Sequence, residues 1–222
     1  MLNKLFKDKK TRYRNLVIVL LPFIILMFVF GFTAYKSVSG IIGKGGEKVT
    51  FSNSIDSMDY HLRANATKLQ KDLFSELSDT VKAGDKEKIA ELVVKNYVAD
   101  FYTWTNKNGI YDVGGMYYVY SPSKTNILVQ ARDTFYKYMS YYANEYGQEN
   151  LLEVTSVEAE GGLADEKYEY EGKKYDKYYF VCNWTYSQND KFDTSDFVTK
   201  NYITVIENED GRFEIVEAYG DI

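Results

Sequence analysis

His61 and Cys182 are the only histidine and the only cysteine among 222 residues, and they bound the chemistry open to the chain. A Ser-His-Asp triad would have to be built on His61. That residue adjoins Leu62 in an amphipathic stretch, where a surface or boundary histidine accounts for it. One histidine and one cysteine cannot supply the three or four ligands of a zinc or copper site. The run Asp190-Lys191-Phe192-Asp193-Thr194-Ser195-Asp196 lacks the glycine and distal glutamate of an EF-hand loop and reads as a solvated acidic turn. Gly114-Gly115 has no following Lys-Ser/Thr, and Gly161-Gly162 lies between strand-like runs rather than at a helix start. Neither is a phosphate cradle, and both read as turns. No catalytic residue, cofactor or metal ligand is assigned from the sequence.

Tyrosine is the unusual component, with 22 in the chain. Along Tyr175 to Ser187, strand alternation sends Tyr178, Phe180, Cys182, Trp184 and Tyr186 to one face and Tyr179, Val181, Asn183 and Thr185 to the other. Both faces carry apolar bulk, so one suits a core and the other a half-exposed aromatic surface. Tyrosine joins a large contact area to a polar tip and is enriched in interfaces. Tyr168, Tyr170, Tyr175 and Tyr179 are therefore the candidate protein-binding residues.

The elements that would position them divide into a helical first half and a strand-rich second half. From Met58, the apolar positions Leu62, Ala66, Leu69, Leu73, Leu77 and Val81 predict a first helix that ends at Gly84. Asp85 caps a second, whose face runs from Ile89 to Trp104 and which Asn108-Gly109 closes. Met116 to Tyr120 suits a short strand. Ser121-Pro122 opens a long third helix through Leu128, Phe135, Met139 and Tyr146 to Gly147. Strands follow over Leu151 to Glu160, Glu166 to Glu171, Tyr175 to Ser187 and Val198 to Glu207, and the last returns through Asn208-Glu209-Asp210-Gly211 to Arg212–Tyr219.

Ahead of this domain, Leu16 to Ala34 form an uncharged, almost wholly apolar run of nineteen residues. Six basic residues and one acid, Asp8, precede it. Crossing about 30 Å of hydrocarbon takes about 20 helical residues, and flanking Lys/Arg stay on the cytoplasmic side. A cleaved secretory signal is the competing reading, but its apolar core is shorter, about 7 to 15 residues. The expected organisation is a basic cytoplasmic tail (1–14), a transmembrane helix (15–35), a glycine-containing linker (36–57) and an extracytoplasmic domain (58–222). The expected location is the cell membrane, single-pass, with the N-terminus cytoplasmic. Outside the tail the chain is acidic, carrying ten more acids than bases against a total of −5. Nucleic acid is thus a poor partner, since phosphate-backbone binding relies on clustered Lys/Arg. A lone cysteine leaves the domain without an internal disulfide and leans the composition toward a bacterial surface protein.

The order of elements, with the closing strands Tyr202-Ile203-Thr204-Val205-Ile206 and Glu209-Asp210-Gly211-Arg212-Phe213-Glu214-Ile215-Val216, resembles the NTF2-like superfamily. The resemblance covers most of residues 60 to 222 by pattern. It implies an α+β fold of three helices packed on a curled antiparallel sheet. With a short tail and one span, the chain resembles VirB8-like and TcpC-like assembly proteins of type IV secretion and conjugation. That resemblance implies a non-enzymatic scaffold or docking subunit of a bacterial envelope complex, with the lipid bilayer, other membrane-complex proteins and further copies of the chain as partners. Two other functions go with the superfamily. One is a sensor or carrier holding a small apolar ligand in the cone between helices and sheet. The other is an enzyme of the ketosteroid isomerase kind, for which Asp112, Asp133 and a tyrosine would be the candidates.

Overall fold

Phe51–Ile55 (β1) and Tyr60–Arg63 (β2) form an antiparallel hairpin, where the sequence predicts the end of a linker and the start of a helix. The computed structural model describes residues 49–220. Asp59 takes the left-handed conformation at the hairpin turn, with φ of 51°. Tyr60 is fully buried and donates its hydroxyl to the Phe213 carbonyl at 2.6 Å, pinning the hairpin to the far end of the chain. The first helix (α1, Lys68–Ala83) therefore starts ten residues later than Met58. Thr67 and Gln70 explain why there: Thr67 Oγ1 accepts from the Gln70 amide, and Gln70 Oε1 accepts from the Thr67 amide, a reciprocal capping box. Gly84, with φ of 77°, ends α1, and Asp85 caps α2 (Lys86–Phe101) by accepting from the Lys88 amide at 3.1 Å.

The expected long third helix divides into α3 (Lys124–Asp133) and α4 (Met139–Tyr146). The break turns Tyr136 fully into the core, where its hydroxyl donates to the Phe101 carbonyl at 2.6 Å and accepts from the Gly114 amide. Phe135 beside it stays half-buried.

Six strands follow in two sheets, which with the β1–β2 hairpin makes three separate sheets among the described residues. Val154–Leu163 (β3), Lys177–Tyr186 (β6), Lys200–Glu207 (β7) and Phe213–Tyr219 (β8) form one antiparallel sheet in the order β3-β6-β7-β8. Tyr168–Tyr170 (β4) and Lys173–Tyr175 (β5) pair only with each other through Glu171-Gly172. This corrects the expectation of one curled antiparallel sheet. The strand expected over Tyr175 to Ser187 divides at Asp176, so β4 and β5 leave the sheet as a hairpin instead of extending it. Met116 to Tyr120 is likewise not a strand but a turn region touching β8 through the single bridge of Val119 to Ile215. Gly161-Gly162, expected in a turn, lies inside β3. A Cβ on Gly161 would run into the Tyr179 carbonyl, so only glycine fits that pairing.

Helix α2 packs on the inner face of the sheet, and α1 packs on α2. Tyr178, Phe180, Cys182, Trp184 and Tyr186 are all buried there, as the alternation predicts. The opposite side of β6 is half-buried or exposed.

The expected tail, transmembrane helix and most of the linker (1–14, 15–35, 36–48) lie outside the described residues. Among the described residues no helix is long and apolar enough to cross a membrane. The longest described helices have 16 residues, about 24 Å at 1.5 Å per residue, and each carries charged side chains. The assignment of a single-pass membrane protein with an extracytoplasmic domain is not supported on this finding and is withdrawn.

Candidate functional site

The C-terminal half of α2, α3 and the adjoining ends of β7 and β8 enclose an open cleft of about 500 Å³. Tyr97, Phe101 and Tyr102 form its floor, Ile127, Ala131 and Phe135 one wall, and Val198, Asn201, Ala218 and Gly220 the other, with Gln130 and Thr134 at the rim. The floor is rigid because its rings interlock. Phe101 stacks on Tyr97 at 5.2 Å and on Phe135 at 5.7 Å, and Tyr102 stacks on Trp184 at 4.2 Å. Among the described residues, no Asp, Glu, Lys, Arg or His lines this cleft.

Besides the rim residues, a polar pair lies deep. Asn201, 3% exposed, donates from Nδ2 to the Tyr102 hydroxyl at 2.8 Å, and its Oδ1 is buried without a partner. Burial pushes the Tyr102 hydroxyl up to about 12, against the lowering effect of the Asn201 bond, so it keeps its proton at neutral pH. Asn201 escaped the sequence reading, yet a signal was present: strand period places it on the same face as Ile203 and Val205, both fully buried.

Titratable groups gather elsewhere, under the β1–β2 hairpin. Arg63 Nε lies 3.0 Å from Asp100 Oδ1, and Arg63 Nη2 lies 2.8 Å from Asp112 Oδ1. Lys107, whose side chain is fully buried, reaches Asp100 at 2.8 Å. The two cations and two carboxylates form a neutral quartet, completed by the Gly115 amide on Asp100 and the Asn108 amide on Asp112. Burial alone would push the Asp100 carboxyl up; Lys107, Arg63 and the Gly115 amide outweigh it and hold it well below the usual range. Burial pushes the Lys107 ammonium down to about 8, opposed by Asp100. Asp112 is thus engaged by Arg63, while Asp133 is exposed at the end of α3. The structure does not bring these two carboxylates together, and neither lines the apolar cleft.

His61 is on β2, not on a helix; its Nε2 lies 3.0 Å from Asp59 Oδ1, and its ring packs against Phe51 and Tyr117. The Asp190–Asp196 turn is organised by its own backbone, with Asp193 Oδ1 accepting from the Ser195 amide. Among the described residues no group of three His, Cys, Asp or Glu side chains could hold a metal ion. Cys182 is fully buried, and burial pushes its thiol up to about 12.

The four candidate interface tyrosines fall on two elements. Tyr168, Tyr170 and Tyr175 belong to the β4–β5 hairpin, where Tyr168 and Tyr175 are cross-strand partners and Tyr170 sets its ring edge-on to Tyr120 at 5.7 Å. Tyr179 sits on the outer face of β6, the face on which Tyr219 stacks on Tyr202 at 5.7 Å. All four are half-buried by their own chain. No family model, no curated protein and no solved structure matches this chain.

Proposed function

We propose that this is an NTF2-like domain that binds a small apolar ligand between its helices and its sheet, as a carrier or sensor rather than as a catalyst. One observation carries the reading: a cleft of about 500 Å³, within the size range of small-molecule sites, walled mainly by aromatic and aliphatic side chains and with no charged residue among the described residues that line it. An acid–base enzyme needs a group that exchanges protons near neutral pH within reach of its substrate, and among the described residues the only titratable groups on this lining are Tyr97 and Tyr102, whose hydroxyls burial pushes up. The position of the cleft, between α2–α3 and the closing β7–β8 hairpin, is what supports the NTF2-like resemblance.

Titration of the full chain with Nile red tests it. Saturable one-site fluorescence enhancement is expected, lost in Thr134→Trp, a rim substitution at an exposed position that fills the mouth without touching the core. Absence of saturable binding, or binding that survives Thr134→Trp, would overturn it.

A second reading, a docking subunit of a larger bacterial complex such as a conjugation or type IV secretion machine, draws on the outer sheet face. There Tyr219 is 53% exposed beside half-buried Tyr179 and Tyr202. Self-association measured by light scattering and abolished by Tyr219→Asp would favour it.

A further inference from the structure

Resting on the cleft reading, we infer that the ligand is uncharged and carries a hydroxyl group, alcohol or phenol, which the Asn201–Tyr102 pair anchors at the inner end of the cleft. Three observations converge. First, among the described residues the lining has no charged side chain, so an ionised ligand group would lose its hydration and gain no counter-charge from them. Second, Asn201 lines the cleft, and its Oδ1, covered in the unliganded chain, lacks a partner, an uncommon state for a buried carbonyl oxygen and one that a ligand donor reaching it would relieve. Third, the Tyr102 hydroxyl already accepts from Asn201 Nδ2 and retains its own proton to donate.

The pair therefore offers one acceptor and one donor side by side. A hydroxyl donates to the first and accepts from the second. It would also satisfy the pair with the amide turned over, when Tyr102 donates to Asn201 and an amide N–H faces the ligand. A carbonyl or an ether can only accept: it pairs with the turned-over amide but leaves Oδ1 unpartnered in the orientation observed, so a hydroxyl alone satisfies both orientations. A carboxylate also only accepts and brings a charge that nothing on the lining offsets. The aromatic floor of Phe101, Tyr102 and Phe135 supplies flat apolar surface for the body of such a ligand.

The test compares naphthol with naphthalene, methoxynaphthalene and naphthoate as probes of the full chain, by competition against bound Nile red. Naphthol is expected to bind about tenfold or more tightly than naphthalene, the equivalent of one well-made hydrogen bond. The preference should vanish in Tyr102→Phe, which removes only the hydroxyl, and in Asn201→Leu. Circular dichroism establishes that each variant is folded, and Tyr102→Phe decides alone if Asn201→Leu is not. Equal binding of naphthol, methoxynaphthalene and naphthalene, still blocked by Thr134→Trp, would overturn the hydroxyl inference while leaving the cleft reading intact. Tightest binding by naphthoate would overturn it as well. Failure of all four probes, with no Nile red site, would overturn the cleft reading itself.

Discussion

Arg63 is the residue on which the largest single effect is concentrated. It is 6% exposed, and its guanidinium fork bridges two carboxylates that have little water around them, besides donating to the Asn106 carbonyl at 2.6 Å. Replacing a buried pair with apolar groups can be neutral, but removing one partner leaves the other charge without compensation. Arg63→Met should therefore lower stability by about 3–5 kcal/mol, read as a reduced midpoint in urea unfolding. A change below about 1 kcal/mol, the range of exposed pairs, would mean the quartet is hydrated. At this scale the sequence was legible where alternation is strict: the buried series from Tyr178 to Tyr186 follows from period two alone. It was not legible for Arg63, Asp100, Lys107 and Asp112. These lie as far as 49 residues apart, and no local spacing announces a contact that tertiary folding creates.

Between α2 and α3, the Gly114-Gly115 turn carries the joint of the domain. A Cβ at Gly114 would meet the Asp100 carbonyl backbone, and Gly115 holds φ of 76° while its amide donates to Asp100 at 2.7 Å. Gly114→Ala cannot be absorbed by a side-chain rotation, because the obstacle is backbone. It should cost several-fold more stability than Gly84→Ala, where the added Cβ meets nothing within 4 Å and only the left-handed conformation is strained. Thermal unfolding of the two variants side by side makes the comparison; equal losses would refute the close approach. Caps and turns were the legible features of the elements, with Gly84, Asp85 and the β7–β8 hairpin all where local chemistry puts them. Two helix boundaries were not. Leu62 and Ala66 fall by coincidence on the helical period that starts at Leu69, although their segment is a hairpin and its exit. The break after Asp133 serves Tyr136, whose partners Phe101 and Gly114 are remote in sequence.

Across the whole molecule, the change from helices to strands near Gly147 was visible as a loss of helical period, and the structure is α+β with that order. The division into three sheets was not visible, since pairing choices among tyrosine-rich strands depend on which edge each strand meets. The molecule's response to acid follows from the quartet. Asp100 is held below its ordinary value in the folded state, while an unfolded aspartate titrates near about 3.9. Its contribution is therefore complete above about pH 4 and is lost as pH falls toward the folded value. Urea midpoints should decline steadily from about pH 4 downward, and the decline should be shallower in Asp100→Asn. An unchanged slope in that variant would assign the acid sensitivity to other carboxylates.

The solitary thiol of Cys182 gives this chain a built-in clock. It is fully shielded on the inner sheet face, and at neutral pH it is overwhelmingly the unreactive thiol rather than thiolate. Alkylation by iodoacetamide must then wait for the sheet to part from α2. With no second cysteine to confuse the signal, the labelling rate measures how often the core opens, one molecule at a time. A bound ligand in the neighbouring cleft would slow that clock by the factor its occupancy stabilises the closed state, whatever the ligand is.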